Sequence, residues 1–265
     1  MARPNRLPGI SPPSPSFECD HRRVRTRLLV VAGAGLAALA LVAAGAYIYF
    51  FSGLRTAPGQ LGLSATPTAT PTATGSTPSP AALTGSWTVA TGSIAGYRVK
   101  ELFAGQSSKH EAVARTSTLS GSLAVSGDSA GYKVGNVTIT VGLSDLQSKD
   151  QVAGRDVSQR DGIVSRQLNV QRFPTATFTV VSASVPAGVT SGPVDVTAVG
   201  QLTIHGVTKD VTVKARAQVA GDRVEIAGSI AITMTDYGVS PPQAPFVTVD
   251  TALTIEFDVF MTKAA

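Results

Sequence analysis

Cysteine is nearly absent from this chain. The single one, Cys19, stands before the only long apolar run. No intrachain disulfide is therefore available, and no thiolate cluster can hold a metal. Cys19 is also not a lipobox cysteine, which would follow the apolar run. Histidine is scarce too: His21, His110 and His205 are the whole set, without H-x-H or H-E-x-x-H spacing. A transition-metal site needs three or four ligands, so none is expected. No P-loop and no G-x-G-x-x-G occurs. A basic nucleic-acid groove is missing as well, despite a pI near 9.6. Of 22 basic and 17 acidic residues, seven arginines and two acids precede residue 84, which leaves 15 of each in the remainder. The excess charge is thus confined to the N-terminal third and marks topology, with no nucleic-acid partner expected.

What that third contains is a run without a charge, Leu28–Phe51 (LLVVAGAGLAALALVAAGAYIYFF). At about 1.5 Å per residue a helix of this length crosses a hydrocarbon core of about 30 Å. Arg22, Arg23, Arg25 and Arg27 precede it, and Tyr47, Tyr49, Phe50 and Phe51 close it. Positive-inside bias places residues 1–27 in the cytoplasm as a disordered basic tail, 28–51 in the membrane and the rest outside. The run exceeds a normal signal-peptide h-region, so an uncleaved signal anchor is expected; secretion after cleavage near Ala44-Gly45-Ala46 is the alternative. Residues 52–83, with SATPTATPTATGSTPSP, have the composition of an extended Pro/Thr/Ala-rich linker.

From residue 84 to 265 the pattern is β. Val247, Val249, Leu253, Ile255, Phe257 and Val259 alternate with Thr248, Asp250, Thr254, Glu256 and Asp258, which predicts one long strand with a dry and a wet face. The runs Val194–Ile204, Val211–Val219 and Val224–Met234 repeat the alternation, and Val137–Leu143 gives a shorter version. Gly221-Asp222 predicts a tight hairpin turn, and Gly200 and Gly228 suit bends in a curved sheet. Gln151–Arg166 is polar and aperiodic, and predicts one short helix or helical loop. Tyr237–Pro245, with three prolines, predicts a loop. Long one-faced strands without cysteine favour a closed antiparallel barrel or a sandwich.

Few residues are left to carry chemistry. His205-Gly206 sits where alternation stops at Ile204, so it predicts a hairpin corner; an active histidine would need an orienting carboxylate or a nucleophile beside it. His110, in GQSSKHEA, is expected to be solvated. Arg155-Asp156 and Arg160-Asp161 suit a solvated helix face or rim salt bridges, or the grip on a polar ligand head. Glu101 alternates with Tyr97, Val99 and Phe103. A regular strand would turn it inward, where it needs a partner or a shifted pKa; a bulged or frayed strand would leave it wet.

Taken in order, an RD-containing segment, LNVQRFPTATFTV (Leu168–Val180), GQLTIHGVTKDVTV (Gly200–Val213) and DYGV (Asp236–Val239) make the stretch Gly85–Thr262 resemble the YceI family. The resemblance implies an all-β, lipocalin-like antiparallel barrel of about eight strands around an elongated apolar cavity. It implies a polyisoprenoid or isoprenoid quinone as ligand, no other cofactor and no catalytic residues. At Glu101 the sequence departs from the family, which often has a histidine there, so the preferred head group could differ. Strand parity predicts a cavity lining of Tyr97, Phe103, Ile139, Val141, Phe178, Leu202, Ile204, Ile230, Ile232, Ile255 and Phe257, with Glu101 near the head. The expected protein is a membrane-anchored, extracytoplasmic, non-enzymatic lipid-binding barrel of the cell envelope. The alternative is a structural or interaction module whose barrel is filled by its own side chains. The sequence leaves a homodimer open.

Overall fold

The computed structural model describes residues 37–45, 47, 55–64, 83–128, 130–152 and 155–264. The chain divides into two compact units, Met1–Gly53 and Leu54–Ala265. In the first, residues 37–45 and 47 are helical. The rest of the expected membrane span 28–51, and the tail 1–27, lie outside the described residues. Among the described residues no helix is long and apolar enough to cross a membrane.

The second unit is a closed antiparallel barrel. Its strands are β1 (Gly85–Val89 and Ile94–Phe103), β2 (His110–Thr116 and Leu119–Asp128), β3 (Gly131–Gly142), β4 (Thr175–Val185), β5 (Val194–Ile204), β6 (Val207–Ala220), β7 (Arg223–Thr233) and β8 (Val247–Lys263). Each pairs with its sequence neighbour, and β8 pairs with both β7 and β1, closing the ring. This is an up-and-down meander that leaves no long free edge. β1 and β2 are each interrupted once. At the β1 break the side chain of Ser93 repairs the ladder: its Oγ donates to the Ala90 carbonyl (2.8 Å) and accepts from the Phe260 N–H (3.0 Å).

Local chemistry explains the turns and bends. Ile204 pairs with Val207, so His205-Gly206 is a two-residue hairpin loop. Both residues have positive φ, +52° and +76°, the pattern of a type I′ turn. The expected corner is there. Gly221-Asp222 closes the next hairpin, with Gly221 at φ +67°. At Gly228 a side chain would collide with the Lys214 carbonyl of β6, so the two backbones can approach only because it is glycine.

The two ends of the barrel differ. One is plugged by Leu83, Trp87, Leu123, Tyr132, Val189 and Met261, all buried. The Trp87 indole N–H donates to the Leu83 carbonyl at 2.9 Å, so this large ring is buried without an orphaned donor. The other end carries the long β3–β4 and β7–β8 connections. The first holds the helix Gln159–Gln167, which starts within the expected helical segment and ends just past Arg166; Gln151–Val152, at that segment's start, instead pairs with Arg55–Thr56. The second holds a short 3-10 turn, Met234–Tyr237, and Gln243–Ala244 folds back on β8. Residues 55–64, within the stretch expected as linker, also belong to this unit and lie against the barrel wall.

Candidate ligand-binding site

Between the plug and the helix-bearing end the barrel encloses a cavity of about 720 Å³. Its walls are almost wholly apolar. Ile139, Phe178 and Leu202 are cross-strand partners on β3, β4 and β5, and form one row of the wall. Ile230 faces Ile255 in the same way across β7 and β8. All the residues expected to line the interior do so: Tyr97, Glu101, Phe103, Ile139, Val141, Phe178, Leu202, Ile204, Ile230, Ile232, Ile255 and Phe257. Alanines at 176, 183, 198, 215 and 217 also line it. Small side chains at these inward positions leave the space that larger ones would fill.

The helix Gln159–Gln167 crosses the mouth and contributes Ile163, Val164 and, just beyond it, Leu168 to the lining. It is fixed in two ways. Ahead of it the Asp156 carboxylate accepts from the Ser158 N–H (3.0 Å) and hydroxyl (2.6 Å). In its first turn Asp161 accepts from the Ser148 N–H (2.9 Å) and hydroxyl (2.7 Å). These contacts aim Arg160 inward.

Arg160 is the hub of the mouth. Its Nη2 donates to Glu101 Oε1 at 2.7 Å, and its Nη1 to Asp150 Oδ1 at 2.7 Å. Asp150 also meets His110 Nε2 at 2.7 Å and accepts from the Val113 N–H at 3.0 Å. His110, expected to be solvated, is buried at 5 % exposure. Its β2 position opposite Glu101 turns it to the wall of the network, which the polar flanking sequence could not reveal. Glu101 is buried at 4 %, which settles its two readings in favour of the inward, paired one. For Arg160 the rim salt bridge is observed, more deeply buried than on a solvated helix face.

The electrostatics follow. Burial pushes the Glu101 carboxyl up, against the pull of Arg160 and His110. Burial would raise Asp150 as well, but the hydrogen bonds from His110, Arg160 and Val113 win and hold it well below the usual carboxylate range. Burial likewise raises the Tyr97 phenol, partly offset by Arg160. Glu101, His110 and Asp150 bring potential metal-ligand atoms within 4.8 Å of one another. The cation that both carboxylates meet here is the Arg160 guanidinium, so the cluster is a hydrogen-bonded ion-pair network. Arg155 stands apart from it, its guanidinium 4.4 Å from the centre of the Phe103 ring and 6.0 Å from that of Phe246, at the edge of the cavity.

The arrangement offers an apolar slot with a polar collar at one end. Asp150, His110 and the inward reach of Arg160 are the parts that sequence reasoning missed. His110 comes from β2, while Asp150 and Arg160 stand 10 residues apart in the β3–β4 connection, and only a parity signal at Glu101 hinted at a buried polar partner. His205 is remote from this chemistry: its Nδ1 lies 3.2 Å from the Tyr237 carbonyl oxygen, and its ring packs edge-on against Phe173. The pentapeptide GDSAG (Gly127–Gly131) has the G-x-S-x-G spacing of a nucleophile elbow. Asp128 pairs with Gly131, however, so it closes the β2–β3 hairpin, whereas an elbow joins a strand to a helix.

An eight-stranded, one-end-plugged barrel around an apolar cavity is lipocalin-like in architecture. A YceI-like domain model matches residues 67–261. The chain belongs to the YceI family. Among curated relatives, a UPF0312 protein of Pseudomonas putida is 28 % identical over 135 residues, 49 % of this chain and 65 % of its own. A UPF0312 protein of Pseudomonas aeruginosa is 35 % identical over 115 residues, 41 % of this chain and 54 % of its own. The matched region thus spans less than two thirds of these relatives. Among solved structures, a polyisoprenoid binding domain from Saccharophagus degradans, implicated in plant cell wall breakdown, aligns at 17 % identity and TM-score 0.46, covering 68 % of this chain and 99 % of that one. BcnA of Burkholderia cenocepacia aligns at 19 % and 0.40, covering 62 % and 95 %.

Proposed function

We propose that the barrel binds one long apolar chain, of the polyisoprenoid or isoprenoid-quinone kind, with its polar end at the Arg155–Arg160–Glu101 collar. The observation that carries this is the cavity itself, about 720 Å³, apolar, plugged at one end and open towards the helix. Its volume falls in the range of about 300–1,000 Å³ common to small-molecule sites. Each methylene moved into it from water contributes about 0.8 kcal/mol, so a long chain binds tightly without a strong polar anchor. The protein acts in this reading as a carrier or store without turnover, held at the outer face of the cell membrane by the segment 28–51. A side-chain-filled interaction module is disfavoured by the same cavity.

Native mass spectrometry of the full chain, released from membranes of its expression host and paired with lipid extraction, tests the reading. An isoprenoid or quinone retained in a one-to-one complex supports it. A mass that stays unliganded after incubation with quinones and polyprenols overturns it.

A further inference from the structure

Outside the barrel, on the face turned away from the cavity, several polar side chains are buried as deeply as any in the core. Glu225 is 0 % exposed, Glu256 1 %, Arg98 4 % and Gln218 5 %. They occupy outward positions on β7, β8, β1 and β6, where alternation predicts a wet face. Their cover is residues 57–64 (APGQLGLS), which lie across the wall as a strap.

The strap is held by its backbone. Arg98 Nη2 donates to the carbonyls of Pro58 (2.6 Å) and Gly59 (2.5 Å), and Arg115 Nη2 to that of Gly59 (2.5 Å). The Leu61 N–H donates to Glu256 Oε2 at 3.2 Å and the Ser64 N–H to Glu225 Oε1 at 2.6 Å. Gln218 Nε2 donates to the Ser64 carbonyl at 3.2 Å. The wall therefore reads an extended main chain, much as a sheet edge reads an added strand, but through side chains.

Beneath the Ser64 end lies Asp258, adjacent to Glu225. The groups facing this pair can be named element by element. On β7 the outward position next to Glu225 is Arg223, which donates to the Thr91 carbonyl; on β8 stands Glu256, and on β1 and β2 stand Arg98 and Arg115, both of which ion-pair with Glu256. On β6 stand Gln218, which donates to Glu225 at 2.6 Å, and, at the next outward position, Arg216, which pairs with Asp195. Residues 57–64 contain no ionisable side chain. Among the described residues, then, no cation pairs with Glu225 or Asp258, and Asp258 Oδ1 has no hydrogen-bond partner. Burial and the neighbouring Glu225 push the Asp258 carboxyl up to about 7.

We propose that this wall is a second binding site, for an extended peptide backbone, that residues 57–64 fill in cis. The buried Asp258 carboxyl beside Glu225 makes the attachment proton-dependent: the strap is held while Asp258 is protonated and let go when it is ionised. Release hydrates the pair and lowers the Asp258 carboxyl towards the ordinary carboxylate range. The raised group gives the sign. Attachment is strongest at low pH, weakens by up to about tenfold per pH unit as pH rises to about 7, and levels off above that. Letting go uncovers the wall for another extended backbone, while Arg55–Thr56 keeps its own pairing with Gln151–Val152. The site is independent of the lipid cavity.

Hydrogen exchange of the full chain in detergent micelles, corrected for the intrinsic pH dependence of exchange, reads the Leu61 and Ser64 amides directly. Their protection is expected to fall by up to about tenfold per unit between pH 5 and 7 while the β6, β7 and β8 amides keep theirs. Asp258→Asn, which mimics the protonated acid, is expected to keep the strap protected at pH 8. If the barrel strands of this variant lose protection because it does not fold, Glu225→Gln makes the same test, and failing both, the slope of the natural chain decides. Protection of residues 57–64 that is equal at pH 5 and pH 8, or a folded Asp258→Asn chain with the natural slope, overturns the proposal.

Discussion

Arg160 and Glu101, 59 residues apart in sequence, meet at the barrel mouth with Nη2 2.7 Å from Oε1, and the same guanidinium holds Asp150. One cation thus neutralises two buried carboxylates from different segments. Arg160→Met leaves both without it. Breaking a buried pair from one side costs about 3 kcal/mol or more. Urea unfolding at pH 7 should show a loss of this size, and a loss below about 1 kcal/mol would contradict the hub role.

Asp150 and Glu101 should respond to pH in opposite directions. The Asp150 carboxyl is depressed, so its contribution is complete above the ordinary carboxylate pKa near 4 and is lost as pH falls below that. The Glu101 carboxyl is raised, so its contribution is complete at low pH and is lost as pH rises past the ordinary value. Asp150→Asn should flatten the acid side of a stability–pH curve, and Glu101→Gln the side above pH 4. Thermal unfolding from pH 3 to pH 7 separates the two; an acid limb unchanged in Asp150→Asn would refute the assignment.

The cavity exists because small residues stand where the wall could carry large ones. Ala198→Phe combined with Ala215→Phe projects two rings into that space. The expected outcome is a folded barrel, within about 1–3 kcal/mol of the natural stability, that retains markedly less lipid per chain. Quantitative lipid extraction beside circular dichroism checks both halves. Unchanged lipid content in a folded variant would place the ligand elsewhere.

At the β5–β6 corner the two residues should differ sharply. Asparagine tolerates positive φ, so His205→Asn is expected to cost less than about 1 kcal/mol. At Gly206 a new Cβ would lie 2.7 Å from Phe173 Cε1, at φ +76°. Gly206→Ala should cost about 1–3 kcal/mol. Melting temperatures of the two variants compare them directly, and a lipid-binding loss in a stable His205→Asn would revive a functional role for this histidine.

Much of the barrel was legible in the sequence because strand alternation is a local signal with period two. The run Val194–Ile204 is β5 to the residue, the last strand begins at Val247 as expected, and the inward parity of Phe178 holds despite Phe173-Pro174 just before it. Turn chemistry was equally local: His205-Gly206 and Gly221-Asp222 needed only their neighbours to be placed. The polar pattern was less informative. Glu256 and Asp258 look like solvent-facing residues in a period-two strand, yet Glu256 is 1 % exposed, because a segment 195 residues away in sequence covers it.

By itself, then, the sequence determined the β class, the interior rows, the hairpin corners and the family, since each depends on residue spacing within a strand or turn. Tertiary structure alone decided which buried charges find partners. Whether His110 is wet, which of Arg155 and Arg160 joins the buried carboxylates and what lies over Glu225 depend on segments brought together by barrel closure. Burying an ion is favourable only where such a partner arrives, and no local pattern records that arrival.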